Sequence, residues 1–226
     1  LKMFNHVDVE LPTHTLKRVT ENGKRFYETP DGNKYPSITT VLSHFSAKGI
    51  AEWRRRVGAE VANKITTQAA RSGTSVHQMA EDHLNNLEWK TEKTMPFDIE
   101  TFLKIKPVLD NRVDNIYAQE KPMYSDHLGL AGTVDCVADF DGKLSVIDFK
   151  TSRQPMVGDK YGKLEKYFRQ AAGYAVMFEE RYKMHINSLV IIAAIADKDE
   201  PEVFISKRDT HIGDLINMVE EYKNQF

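Results

Sequence analysis

The apolar run Leu144-Ser145-Val146-Ile147 ends in Asp148-Phe149-Lys150, and 13 residues before Asp148 stands Asp135, in Gly132-Thr133-Val134-Asp135-Cys136-Val137. Both stretches read as short β-strands rich in Val and Ile. Asp141-Gly142 between them is a strong signal for a two-residue hairpin turn. Side chains at i and i+2 of a strand share a face, so Asp148 and Lys150 project together. Pairing of the two strands puts Asp135 within reach of Asp148. Two carboxylates and a lysine converging on one point suit a hard divalent cation with an activated water beside it, the chemistry of phosphodiester hydrolysis. Taken alone, an Asp-x-Lys tripeptide fits a solvated strand face as well.

Two helical pairs add to it. Gln170 and Tyr174, in Tyr167-Phe-Arg-Gln-Ala-Ala-Gly-Tyr-Ala-Val-Met-Phe178, are four apart among good helix formers and so share one helix face. A Gln amide and a Tyr hydroxyl there can hold phosphate oxygens or orient the lysine; alternatively Tyr174 packs in the core and Gln170 lies on the surface. Upstream, Gly73 and His77 have the same spacing near an expected helix start, where Ser72 or Thr74 would cap. His77 can ligate a metal through a neutral imidazole nitrogen, or be one more structural histidine among eight.

The order Gly-x-x-x-His, Gly-x-x-Asp, Asp-x-Lys, Gln-x-x-x-Tyr along one chain resembles the PD-(D/E)xK nuclease superfamily, and within it the RecB-like exonuclease branch. Pro36-Ser37-Ile38-Thr39-Thr40-Val41-Leu42 adds a finer resemblance, to the Pro-Ser-x-Thr-x-x-Leu segment of mitochondrial and phage exonucleases. The resemblance runs from about Tyr35 to Tyr174.

It implies an α/β (α+β) fold with a restriction-endonuclease-like core: a central mixed sheet flanked by helices, with an N-terminal hairpin and a helical elaboration. One nuclease domain would fill residues 1–226, with 1–115 carrying His77 and 116–226 forming the catalytic core. Asp135 and Asp148 would be the acidic metal ligands, His77 an additional one, and the Phe149 carbonyl would complete the set. Lys150 would position the attacking water and offset charge on the pentacovalent phosphate. Gln170 and Tyr174 would meet the active site or the scissile strand. Glu120 would stand beside the ligands or be surface charge. Ser37 and Thr39 would touch nucleic acid, or simply cap the helix that follows Pro36. The implied cofactor is Mg²⁺, with Mn²⁺ as substitute.

The resemblance also implies a DNA exonuclease acting on single-stranded ends, in the cytoplasm of a bacterial or phage-infected host ahead of a mitochondrial matrix. A structure-specific endonuclease with the same site and a noncatalytic DNA-binding module derived from a nuclease are the alternatives; oligomeric state is left open. Iron–sulfur relatives need four cysteines, and this chain has one, Cys136, so no Fe–S cluster is expected and no disulfide can form within the chain. Cys136 reads as a small buried hydrophobe.

The net charge of −2 excludes a protein that coats nucleic acid indiscriminately, but not one with local basic stretches. Lys160, Lys163, Lys166 and Arg169 are spaced three apart and form the first candidate stripe; Lys163, Lys166 and Arg169 lie on the Gln170 helix itself. Tyr161, Tyr167 and Phe168 nearby could stack on bases. Arg54-Arg55-Arg56 behind Trp53, and Lys17, Arg18, Lys24 and Arg25, are further candidates. No run approaches the ~18 apolar residues of a membrane span, so no membrane partner is expected.

Periodicity predicts a hairpin over 15–35 and helices near 37–45, 48–66, 70–88 and 98–115. A strand near 116–124 should precede the hairpin 131–149. A loop over Thr151–Gly162 that could gate the site, a helix over 163–182, strands over 187–196 and 202–207, and a final helix over 211–225 complete the reading. The helical region 37–115 is expected to roof a substrate channel.

Overall fold

Asp141 (φ 50°) and Gly142 (φ 74°) both occupy the left-handed region, as a two-residue hairpin turn requires. They join β5 (Leu130–Phe140) to β6 (Lys143–Ser152), paired antiparallel from Phe140↔Lys143 to Cys136↔Ile147. This is a computed structural model, and it describes residues 2–9, 15–90, 93–158 and 162–225. β4 (Val113–Ser125) pairs antiparallel with β5, β7 (Ser188–Ile195) lies parallel to β6, and β8 (Glu202–Lys207) closes the mixed sheet in the order β4-β5-β6-β7-β8. A parallel neighbour needs a crossover, and α4 (Lys163–Tyr182) supplies it between β6 and β7.

Strand alternation divides the interior into two cores. Val146 and Ile191 pack with Ile38, Phe178 and Leu215, on the side of α1 (Ile38–Val57), α4 and α5 (Arg208–Asn224). Ile147, Phe149 and Ile192 pack with Val76, Met79, Phe102 and Ile105, on the side of α2 (Ala59–Leu84) and α3 (Pro96–Arg112). The result is an α/β fold with helices on both faces of a mixed sheet, as expected. β1 (Lys17–Glu21), β2 (Lys24–Glu28) and β3 (Lys34–Pro36) form a separate small antiparallel sheet, in which Asn22 (φ 51°) and Gly23 (φ 73°) make the first turn.

The helical region departs from the periodicity reading. Three helices replace the four expected over 37–115. Nothing at Ser46-Ala47 breaks the first helix, which runs on to Gly58, where φ of 87° stops it. α2 then continues through Arg71-Ser72-Gly73-Thr74, so Gly73 and His77 lie inside a helix, not near its start. Ser72 does not cap: its hydroxyl donates to Asp98 Oδ1 (2.6 Å), and Thr74 bonds back to the Ala70 carbonyl (2.9 Å). From Ala47 to Arg71 only Ala62 is buried, so the second half of α1 and the first half of α2 form an exposed helical hairpin. α1 is rooted on the α4 and α5 side of the sheet, and α2 on the α3 and β6 side.

The expected loop begins later than predicted. Thr151 and Ser152 belong to β6, and Met156 is buried with its N–H donating to Glu202 Oε2 (2.6 Å). That bond ties the segment to β8 at Met156; Lys160 and Tyr161 lie outside the described residues. Among the described residues no helix is long and apolar enough to cross a membrane.

Gly173 shows how closely α4 is packed. A Cβ there would stand 2.3 Å from Ile38 Cδ1 and 3.0 Å from Leu215 Cδ2, both fully buried. Gly173→Ala should therefore destabilise the protein by ~1–3 kcal/mol through overpacking, despite alanine's higher helix propensity. Denaturant titration of the variant checks this; an unchanged or raised stability would mean that α1 and α5 yield easily.

Candidate metal centre

The β5–β6 ladder ends at Cys136↔Ile147, and the site begins where it ends. Beyond that pair the Phe149 backbone lacks a partner on β5, and an unpaired buried N–H or C=O is costly. Two side chains take over. The Phe149 N–H donates to Asp135 Oδ2 (3.0 Å), and His77 Nε2 donates to the Phe149 carbonyl (2.6 Å). Asp135 comes from β5, Phe149 from β6 and His77 from the face of α2 that packs on Phe149, where the two rings meet edge to face.

The other ring nitrogen of His77, Nδ1, lies 3.5 Å from Asp135 Oδ2. Glu120 joins from β4: a ring nitrogen of His77 and one carboxylate oxygen each of Glu120 and Asp135 lie within 4.8 Å of one another. Glu120 holds a left-handed backbone (φ 42°), unusual inside a strand, opposite Asp135 in the β4–β5 register. Its residue surface is exposed, yet its carboxyl is pushed up to about 7, by desolvation first and then by Asp135, with smaller contributions from Glu81 and Asp148. Expected only beside the ligands, Glu120 thus stands with His77 and Asp135. The signal that could have found it is its register opposite Asp135, which requires knowing how β4 pairs.

Asp148 is 2% exposed. The Lys150 ammonium lies 2.6 Å from its Oδ2. Burial raises its pKa against the attraction of Lys150, and Asp135 adds to the rise. Burial would lower the Lys150 pKa, but Asp148 and Asp135 outweigh it and hold the ammonium charged. Lys150 also sits 4.7 Å from the Tyr167 ring centroid, a cation–π contact on α4. Tyr167, expected only as a base-stacking candidate, therefore helps to place the lysine.

Gln170 and Tyr174 share a face of α4 as expected, the Gln170 amide donating to Tyr174 Oη (3.0 Å). Tyr174 is buried against Gly132, where a Cβ would stand 2.7 Å from the ring, which accounts for the glycine in Gly-x-x-Asp. Desolvation raises the Tyr174 pKa, so it stays a neutral phenol.

The candidate nucleic-acid contacts divide. Ser37 is 1% exposed and caps α1, accepting from the Thr40 N–H (3.1 Å); burial rules it out as a direct contact, while Thr39 remains half-exposed. Arg169 does not join a free basic stripe, because it turns to α5 and pairs with Asp214 (3.3 Å). Lys166 is half-buried between α4 and α1, donating to Ser46 Oγ (3.0 Å), and its pKa is lowered by burial and then by Lys150. Lys163 is exposed at the start of α4. The exposed basic residues concentrate instead on the helical hairpin: Lys48, Arg55, Arg56, Lys64 and Arg71.

Carboxylates from the sheet, a histidine from α2 and a buried lysine thus form one cluster that can hold a cation. The model of the PD-(D/E)XK nuclease superfamily matches residues 88–211 of this chain, and the chain belongs to that superfamily. The match contains Asp135, Asp148, Lys150, Gln170 and Tyr174 and leaves His77 outside. The chain is also similar to Mitochondrial genome maintenance exonuclease 1 of Homo sapiens, 28% identical over 131 residues, covering 54% of this chain and 38% of the relative. The Xenopus tropicalis protein of that name is 25% identical over 179 residues, covering 72% and 49%. The Mus musculus protein is 26% identical over 180 residues, covering 73% and 51%. The chain thus spans about half the length, or less, of these relatives.

The raised Glu120 pKa has a measurable sign. A folded pKa of about 7 above the ordinary 4.5 means that the charged carboxylate costs folded stability above pH 7, a cost that fades as pH falls toward 4.5. In EDTA, Glu120→Gln should melt higher than the unsubstituted protein at pH 8, and the difference should shrink toward pH 5. A difference independent of pH would remove the crowding of Glu120 with Asp135.

Proposed function

We propose that the protein is a Mg²⁺-dependent DNA nuclease that degrades single strands from an end. The observation that carries this reading is the buried Asp148–Lys150 pair next to the His77, Glu120 and Asp135 cluster. Oxygen-rich donors with one imidazole fit a hard divalent cation. His77, Asp135, Asp148 and the Phe149 carbonyl would hold it, with Glu120 as a further oxygen donor. When bound, such an ion lowers the pKa of water and neutralises charge on a phosphate.

The chain's own groups would do the rest. Lys150, fixed by Asp148 and Tyr167, would donate to the attacking water and to a non-bridging phosphate oxygen. Gln170, held by Tyr174, would steady the same phosphate from α4. Removal of Asp148 alone should abolish cleavage, since it takes away an oxygen donor and releases Lys150. Asp148→Asn should lose at least ~10³-fold in kcat while binding a single-stranded oligonucleotide nearly as before. Unaltered cleavage would sink the site assignment.

End-dependence is supported by the helical hairpin and by the word exonuclease in the relatives' names. One leg of the hairpin roots by α4 and the other by β6, the strand that carries Asp148 and Lys150, and from Ala47 to Arg71 it carries six basic residues against two acidic. A strand passing beneath such a span must enter by its end, so linear single-stranded DNA with Mg²⁺ should be degraded and a circular single strand spared. Cutting of the circle would make the enzyme an endonuclease. Replacing Arg55 and Arg56 by Glu should weaken oligonucleotide binding at low salt and reduce the salt slope by about one to two phosphate contacts. An unchanged slope would take the hairpin out of the strand's path.

A further inference from the structure

Among the described residues, no side chain neutralises Lys166. It stands on α4 at the junction with α1, half-buried, and donates to Ser46 Oγ (3.0 Å) and Ser43 Oγ (3.5 Å). No described carboxylate lies within ion-pair distance of it, whereas Arg169, three residues on, has Asp214. Burying an ammonium without a counter-charge is unfavourable. The charge that does act on it is another cation: burial lowers the Lys166 pKa first, and Lys150 lowers it further.

Two of the three ammonium protons go to serine oxygens, which leaves one free. Ser46 already donates to the Leu42 carbonyl (3.1 Å), so toward Lys166 it only accepts. Ser43 is exposed, three residues before Ser46 on the same face of α1, and its hydroxyl proton has no acceptor among the described residues. An ammonium proton and a hydroxyl proton thus meet beside each other, a pair of donors that suits an oxyanion. The helix period of α4 fixes where this happens. Lys166, Gln170 and Tyr174 recur every four residues on one face, so the Lys166 stem starts about 6 Å along the axis from that of Gln170. The α1 residues belong to the root of the hairpin leg that packs on α4.

We infer that Lys166, with Ser43 of α1, is a second phosphate subsite: it holds the non-bridging oxygens of the phosphodiester adjacent to the one being cleaved. The inference rests on the reading of the His77–Asp135–Asp148 centre as the place of phosphodiester cleavage. A strand held there brings to Lys166 the negative charge that the fold does not supply, and it lies at the root of the hairpin. A backbone contact of this kind reads no base, which suits sequence-indifferent degradation. It also sets stability against substrate fit, because the ammonium that binds the strand destabilises the free protein.

The test compares Lys166→Met and Ser43→Ala with Lys143→Met, an exposed lysine at the opposite end of β6 from the site. Thermal melting, binding of a fluorescein-labelled single-stranded oligonucleotide in EDTA, and steady-state cleavage with Mg²⁺ are measured on each. A set of oligonucleotides carries one uncharged methylphosphonate, placed in turn at each linkage. Lys166→Met should melt as high as the unsubstituted protein or higher, since it keeps the stem and removes an unpaired charge. It should raise Kd and KM about fivefold or more with little change in kcat, and reduce the salt slope by about 0.7. Ser43→Ala should raise KM by about two- to threefold, and Lys143→Met should leave it unchanged. In the unsubstituted protein a methylphosphonate next to the cleaved linkage should raise KM severalfold, and this effect should vanish in Lys166→Met. A methylphosphonate effect that persists in Lys166→Met would overturn the inference, and so would Lys166→Met binding as the unsubstituted protein does. Should Lys166→Met fold poorly, Ser43→Ala decides by the same comparison. Should the unsubstituted protein bind the oligonucleotide without cleaving it, the nuclease reading fails while the methylphosphonate effect on binding still decides the role of Lys166. Absence of binding by the unsubstituted protein overturns both.

Discussion

The site depends on one unfinished strand pair. β5 and β6 stop hydrogen-bonding to each other at Cys136↔Ile147, and the Phe149 backbone that follows is completed by the side chains of Asp135 and His77. Closing a buried edge in this way serves a structural need and gathers a carboxylate, an imidazole and a carbonyl at one point. It also explains why α2 must pack where it does. Val76, Met79 and Ala80 fix the helix against the Ile147 and Phe149 face, and that packing delivers His77. Moving α2 by one turn would leave the Phe149 carbonyl unpaired and empty the cluster together.

Electrostatics makes the same point unstable without a counter-charge. Asp135, Asp148 and Glu120 crowd together with Lys150 and, when protonated, His77 as the nearby cations. Burial raises the pKa of Asp148, and desolvation with like charge raises that of Glu120 to about 7. Lys150 resists the opposite pull because two carboxylates flank it. Arrangements that disfavour their own charges in the empty fold gain most when a divalent ion arrives, and they concentrate at functional sites for that reason.

Elements set by local chemistry were legible in the sequence. Asp141-Gly142 specifies its hairpin by φ alone, and the helix formers that follow Gly162 define α4 over Lys163–Tyr182 as expected, Gly173 notwithstanding. Asp148, Lys150, Gln170 and Tyr174 fall within one neighbourhood because strand and helix periods dictate which residues share a face. Features that depend on tertiary partners were not legible. Gly58 breaks the helical region and Ser46-Ala47 does not, because glycine tolerates a left-handed turn that a serine–alanine pair has no reason to make. Arg169 belongs by spacing to a basic stripe, but α5 brings Asp214 to it. Ser37 matches a motif and is consumed as a cap. Glu120 needed the β4–β5 register, which no local pattern reveals.

The division of labour along the chain follows from this. The span matched by the superfamily model, 88–211, holds the five-stranded sheet and most of the candidate cation cluster, whereas α1 and α2 lie wholly before it. That helical pair meets the core through Ile38, Val41 and Leu42 of α1 and Val76, Met79 and Ala80 of α2, and at the site through His77 on Phe149. The last of these is also a contact of the cation centre. On the proposed reading α2 would both border the path of the strand and supply His77 to the cation, so strand binding and ion binding would act on one helix.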